Sequence, residues 1–134
     1  MNGRTSDEPV WLDIAQVKLL HAESMRLFGG LPGLRDESIL ESAIARPRNL
    51  WAHDRAATIF DLAAAYGFGI ARNHAFVDGN KRITLLAVRV FLFLNGLHFQ
   101  PDEVETVTMI EALADGTLSQ SELARWIEAS TKSI

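Results

Sequence analysis

One segment constrains this chain more than any other. From Gly79 to Leu94 the residues are apolar almost all the way round a helical wheel, with Thr84 and Arg89 set among Ile83, Leu85, Leu86, Ala87, Val88 and Phe91. A helix of that kind has no face to offer water and must be enclosed by other elements. Its longest apolar run, Ile83 to Leu94, is well short of the roughly 20 residues needed to cross a bilayer. The segment therefore reads as the buried centre of a helical bundle, ended by Asn95-Gly96.

The rest of the chain is punctuated to supply the enclosing helices. A first helix is expected from Asp13 or Ile14 to Phe28, with Val17, Leu20, Ser24 and Leu27 or Phe28 on one stripe and Gly29-Gly30 as its stop. Leu31-Pro32-Gly33 makes a turn. A short second helix follows Asp36, capped by Asp36 or Ser38, and should end before Pro47. An Ala-rich helix is expected from Asp54 to Asn73, its Gly67 and Gly69 permitting close helix approach. Two more run from Pro101 to Asp115 and from Ser119 to Lys132, the last opened by the capping box Ser119-Gln120-Ser121-Glu122. No segment alternates at period two, so strands are limited to a short arm or hairpin near Val10 to Leu12. The fold class is all-α: a single bundle of six helices, residues 1–134 forming one domain with residues 1–9 as an N-terminal tail.

Composition narrows the function. The 134 residues carry 13 Lys+Arg against 17 Asp+Glu, a formal charge of −4, so a globally basic nucleic-acid binder is excluded and any anion site must be local. The acidic excess lies in residues 101–134, with seven acids and two bases, and reads as a solvated outer face. Absence of cysteine removes disulfides, thiolate nucleophiles and Cys-containing zinc sites. With no secretory signal in the polar start and no membrane span, the expected location is the cytoplasm.

The chemistry is concentrated in Arg72-Asn73-His74-Ala75-Phe76-Val77-Asp78-Gly79-Asn80-Lys81-Arg82, polar groups set between the two most hydrophobic helices. Gly79 to Arg82 fall on the first turn of the central helix, where N–H groups lack intrahelical acceptors and the dipole favours anions. Gly79 lets a phosphate approach the backbone, and Lys81 and Arg82 add charge. Asp78 brings a carboxylate beside any bound phosphates, a pairing that implies Mg²⁺. His74 is the general-base candidate of the cluster. Arg72 reads equally as a phosphate contact or as a charge favoured at a helix C-terminus. Asp78 also suits a helix N-cap. His21, His53 and His98 read as surface or helix-end residues, and Trp11, Trp51 and Trp126 as core or interface anchors.

The stretch His74 to Arg82 closely resembles the Fic/Doc superfamily signature, His-x-Phe-x-Asp/Glu-Gly/Ala-Asn-Gly/Lys-Arg, and Gly29-Gly30-Leu31-Pro32-Gly33, Glu41 to Pro47 and Asn95-Gly96 extend the likeness. Lys81, where adenylylating Fic enzymes carry a second glycine, marks the death-on-curing (Doc) branch. Leu85 in place of the second arginine favours that branch too, whereas Gly79 is the Fic-type choice. The resemblance implies a helical toxin of a toxin–antitoxin pair that moves a phosphoryl or nucleotidyl group from ATP to a protein hydroxyl. In it His74 is the base, Asp78 holds Mg²⁺, the Gly79 and Asn80 amides with Arg82 bind phosphates, and Phe76 anchors the loop in the core. In the Doc branch the lysine implies a reversed ATP and γ-phosphate transfer, hence a kinase, with elongation factor Tu as the associated acceptor. Adenylyl transfer, and a non-catalytic phosphate-binding or interaction module, are the competing readings. None of the nine Glu residues is followed by Gly or Asn, so the inhibitory Ser/Thr-x-x-x-Glu-Gly/Asn helix of many Fic enzymes is absent. An antitoxin acting in trans is expected instead, docking near Arg82 and folding as it binds, with the Gly29 to Gly33 turn as a flap beside the site.

Overall fold

The computed structural model describes residues 7–134; the first six residues of the expected tail lie outside them. Six helices, α1 (Ile14–Phe28), α2 (Glu37–His53), α3 (Ile59–Asn73), α4 (Asn80–Leu94), α5 (Glu103–Asp115) and α6 (Gln120–Ala129), are joined by two short strands, β1 (Leu97–Phe99) and β2 (Thr131–Ser133). The architecture is all-α, as the periodicity requires. No helix among the described residues is long and apolar enough to cross a membrane.

The buried centre expected at α4 is taken by α3, whose Ala and Gly residues let neighbours close in on every side: it lies against α2, α4, α5 and α6, and it is the most enclosed helix, burying Leu62 to Gly67 and Gly69 to Ala71. α4 buries Ile83, Thr84, Ala87, Val88, Phe91 and Leu92 but leaves Arg89 and Phe93 on the outside. Small residues explain the closeness. A Cβ on Gly67 would stand 3.0 Å from the Val88 side chain, and one on Gly69 would stand 3.2 Å from the Ala43 carbonyl.

Several boundaries differ from expectation for identifiable reasons. α2 does not end before Pro47 but continues through it to His53. Proline removes one helical bond and crowds the carbonyl four residues back, yet Pro47 is buried and Leu50 and Trp51 beyond it pack on the core, and that burial carries the helix past the breaker. α3 starts at Ile59, because Thr58 and Asp61 form a capping box there. α6 stops at Ala129, and Thr131–Ser133 pairs antiparallel with Leu97–Phe99, so the strand pair is at the C-terminal end and not near Val10 to Leu12. The latter segment is anchored instead by Tyr66, whose hydroxyl donates to the Leu12 carbonyl at 2.8 Å and accepts from its N–H at 2.9 Å. On α1 the buried stripe is Val17, His21, Ser24 and Met25, while Leu27 and Phe28 are exposed.

Candidate active site

α3 ends at His74, which adopts the left-handed conformation (φ 49°, ψ 53°), a helix stop that histidine tolerates better than most residues. Its carbonyl accepts from the Arg35 guanidinium at 2.7 Å. The chain then pairs with the turn before α2. Leu34 and Phe76 form an antiparallel bridge, with the Arg35 N–H donating to the Ala75 carbonyl at 2.7 Å and the Val77 N–H to the Gly33 carbonyl at 3.1 Å. The turn expected as a flap is thus tied by backbone bonds to the motif loop.

Phe76 is buried, and its backbone is served by one side chain: Asn80 accepts from the Phe76 N–H at 3.1 Å and donates to its carbonyl at 2.9 Å. The Asn80 amide group therefore shapes the loop, and it is the backbone N–H of Asn80 that is left for a ligand. Gly79, in the left-handed region at φ 75°, turns the chain into α4. Among the described residues α1, α2, α3, α5 and α6 each have a side chain capping the N-terminus, and α4 has none. Its first backbone bond runs from the Ile83 N–H to the Gly79 carbonyl, so the amides of the preceding turn stand outside the helical ladder.

That uncapped turn opens into a cleft of about 450 Å³ lined by His74, Val77, Asp78, Gly79, Asn80, Lys81 and Arg82. Six of the seven expected site residues meet here. Arg72 does not line the cleft: its guanidinium lies 5.3 Å from the Phe68 ring centre and close to Gly116. Lys81 reaches Glu111 on α5 at 2.6 Å, and Arg82 donates to the Gly29 carbonyl at 3.0 Å with its guanidinium over Phe28.

The Asp78 carboxylate accepts from the Leu31 N–H at 3.0 Å through one oxygen and from the Gly79 N–H at 2.8 Å through the other. Those two bonds, aided by the charges of Arg82 and His21 and opposed by partial desolvation, hold its carboxyl below the usual range. Asp78 is an anion at neutral pH. Among the described residues no three acidic or imidazole side chains cluster as a metal cage. Magnesium does not need one, because it shares its coordination between one or two carboxylates, phosphate oxygens and water. An exposed carboxylate with one N–H on each oxygen keeps lone pairs for a cation, so the donor set fits Mg²⁺ delivered with phosphates.

Three contributors went unnoticed in the sequence. Arg35 and the Leu31 amide reach the site only through the pairing of distant segments, which no local pattern announces. His21, expected on the surface or at a helix end, is buried at 2% exposure. The available signal was its register, four residues after Val17 and four before Met25 on the core stripe.

A family model described as the Fic/DOC family matches residues 11–92. The chain belongs to the Fic/DOC family. Two curated relatives carry the Doc name. The chain is 34% identical over 106 residues to "Protein kinase doc" of Escherichia phage P1, an alignment covering 78% of this chain and 82% of that protein. It is 42% identical over 76 residues to "Toxin Doc" of Mycolicibacterium smegmatis, covering 56% of this chain and 58% of that protein. The matched family region contains the cleft and everything that shapes it apart from Glu111.

Proposed function

We propose that this Fic/DOC chain is a Doc-type toxin that transfers the γ-phosphoryl group of ATP to a hydroxyl of a target protein and is held off by an antitoxin in trans. The observation that carries the reading is the uncapped N-terminus of α4 opening into a cleft with an imidazole, a carboxylate and two cationic side chains on its walls. Positioning and electrostatic stabilisation supply most of the catalysis in phosphoryl transfer, and these residues provide both. The amides of Asn80 to Arg82, with that of Gly79 already given to the Asp78 carboxylate, and the Arg82 guanidinium grip phosphate oxygens. Asp78 holds the magnesium ion, which when bound neutralises charge on the transferring group. His74 takes the proton of the acceptor hydroxyl as its oxygen bonds to the γ-phosphorus, while the bond to the bridging oxygen breaks and ADP departs with the electron pair.

Lys81 fills the place where a second glycine would let phosphates approach more closely, and the name of the phage relative agrees with a kinase. The toxin reading rests on the name of the mycobacterial relative and on the missing cis-inhibitory sequence. The antitoxin segment docks near Arg82, beside the exposed Phe28 and Leu31. Elongation factor Tu is the first acceptor to try. Intact-mass analysis of target proteins after incubation with ATP, Mg²⁺ and the chain tests the reading. A phosphate increment supports it, an adenylate increment replaces it with nucleotidyl transfer, and ATP binding without turnover reduces the chain to a binding module. His74→Ala should lower the rate by ~10²–10⁴-fold, and full activity in that variant would refute the base assignment.

A further inference from the structure

His21 on α1 is the buried polar residue of the site that the chemistry above leaves unused. Its Nε2 lies 2.8 Å from the Asp78 carbonyl oxygen, and its ring stacks on Phe76 with centroids 3.8 Å apart and planes at 15°. A carbonyl only accepts, so Nε2 carries the proton and donates. The neighbouring positions of its stripe, Val17, Ser24 and Met25, are all buried, the setting in which an apolar side chain is the ordinary occupant. What a histidine adds is the hydrogen bond, without which burying its ring nitrogens would be unfavourable.

That bond has a geometric consequence. Asp78 precedes Gly79, the N-cap of α4, so its carbonyl has no partner within the helix. It is turned toward α1, and the first bond of the ladder runs from Ile83 to Gly79. The peptide plane fixed by His21 also carries the Gly79 N–H, which bonds one oxygen of the Asp78 carboxylate. One imidazole thus sets the peptide from which the carboxylate hangs. We infer that His21 is a positioning residue for the cation: by anchoring the Asp78 carbonyl it aims the Asp78 carboxylate into the cleft. This rests on the reading of Asp78 as the magnesium carboxylate.

Calorimetric titration of ATP into the full chain, with and without Mg²⁺, tests the idea in His21→Leu, which keeps bulk without a donor, and His21→Gln, which keeps a donor at similar reach. The gain in ATP affinity on adding Mg²⁺ should fall roughly tenfold in the leucine variant and stay within a few-fold of wild type in the glutamine variant. A merely structural histidine would lower the melting temperature and leave that gain untouched. Should His21→Leu not fold, His21→Met takes its place. An undiminished gain in the donor-free variant overturns the inference, as does a glutamine variant no better than leucine. A wild-type chain whose ATP affinity ignores Mg²⁺ is a different result: it sinks the metal role of Asp78 and the inference with it.

Discussion

Replacing Asn80 with alanine isolates the clamp that shapes the motif loop. The flanking residues use their bonds elsewhere, Ala75 toward Arg35 and Val77 toward Gly33, so both backbone groups of Phe76 depend on the Asn80 side chain. Each net hydrogen bond contributes about 0.5–1.5 kcal/mol, and a buried group left unsatisfied costs about 1–3 kcal/mol. Alanine recovers up to about 0.7 kcal/mol of helix propensity. The balance is a loss of about 2 kcal/mol. For a domain of this size that corresponds to a fall in melting temperature of roughly 5–10 °C. Scanning calorimetry measures it, and amide hydrogen exchange locates it, because the Phe76 N–H should lose protection while amides in the middle of α3 keep theirs. A melting temperature within about 1 °C of wild type, with Phe76 equally protected, would refute the idea that Asn80 holds the loop.

Tyr66 yields a pH dependence. Burial pushes its hydroxyl from 10.0 up to about 12; with the folded value above the unfolded one, the stabilisation is complete below pH 10 and disappears as pH rises from 10 to 12, about 2.7 kcal/mol in all. Tyr66→Phe should flatten that alkaline limb in denaturant titrations and lower stability at pH 7 by about 2–3 kcal/mol, since it orphans the Leu12 N–H and carbonyl. Gly79→Ala should destabilise by about 1–2 kcal/mol from its left-handed φ alone. It also drives a Cβ into the Met25 methyl, so adding Met25→Ala should relieve the steric part and leave the backbone part, as compared in thermal melts of the single and double variants. Ser24→Ala should raise stability by about 1 kcal/mol, because the Ser24 hydroxyl is buried without a hydrogen-bond partner; a lower melting temperature would contradict that assignment.

The helices and their caps were legible because they are local. Asp36 and Ser119 cap within three residues of themselves, and a 3.6-residue period survives whatever packs against it; the Thr58 box, equally local, lies four residues inside the start expected at Asp54. The cleft residues were legible for a related reason: His74 to Arg82 are nearly contiguous and fall on one helix start. What escaped depends on partners far along the chain. Pro47 stops an isolated helix, and only the core contacts of Ile44, Leu50 and Trp51 carry α2 through it. His21 reads as a surface residue until the Asp78 carbonyl, 57 positions away, supplies an acceptor. The Asn80 side chain has no role to read in the sequence until the Phe76 backbone is seen to use it. Arg72 falls in the same stretch as the motif, yet the direction of the α3 surface sends it to Phe68.

The pairing of residues 33–35 with residues 75–77 also bears on when the chain becomes competent. The wall of the cleft is assembled from two stretches about forty residues apart, braced from a third place by α1. A nascent or clipped polypeptide holding the motif alone would carry every reactive group and no pocket to aim them. Competence therefore arrives together with global folding, and loosening the N-terminal third should disarm the molecule even with each reactive side chain intact.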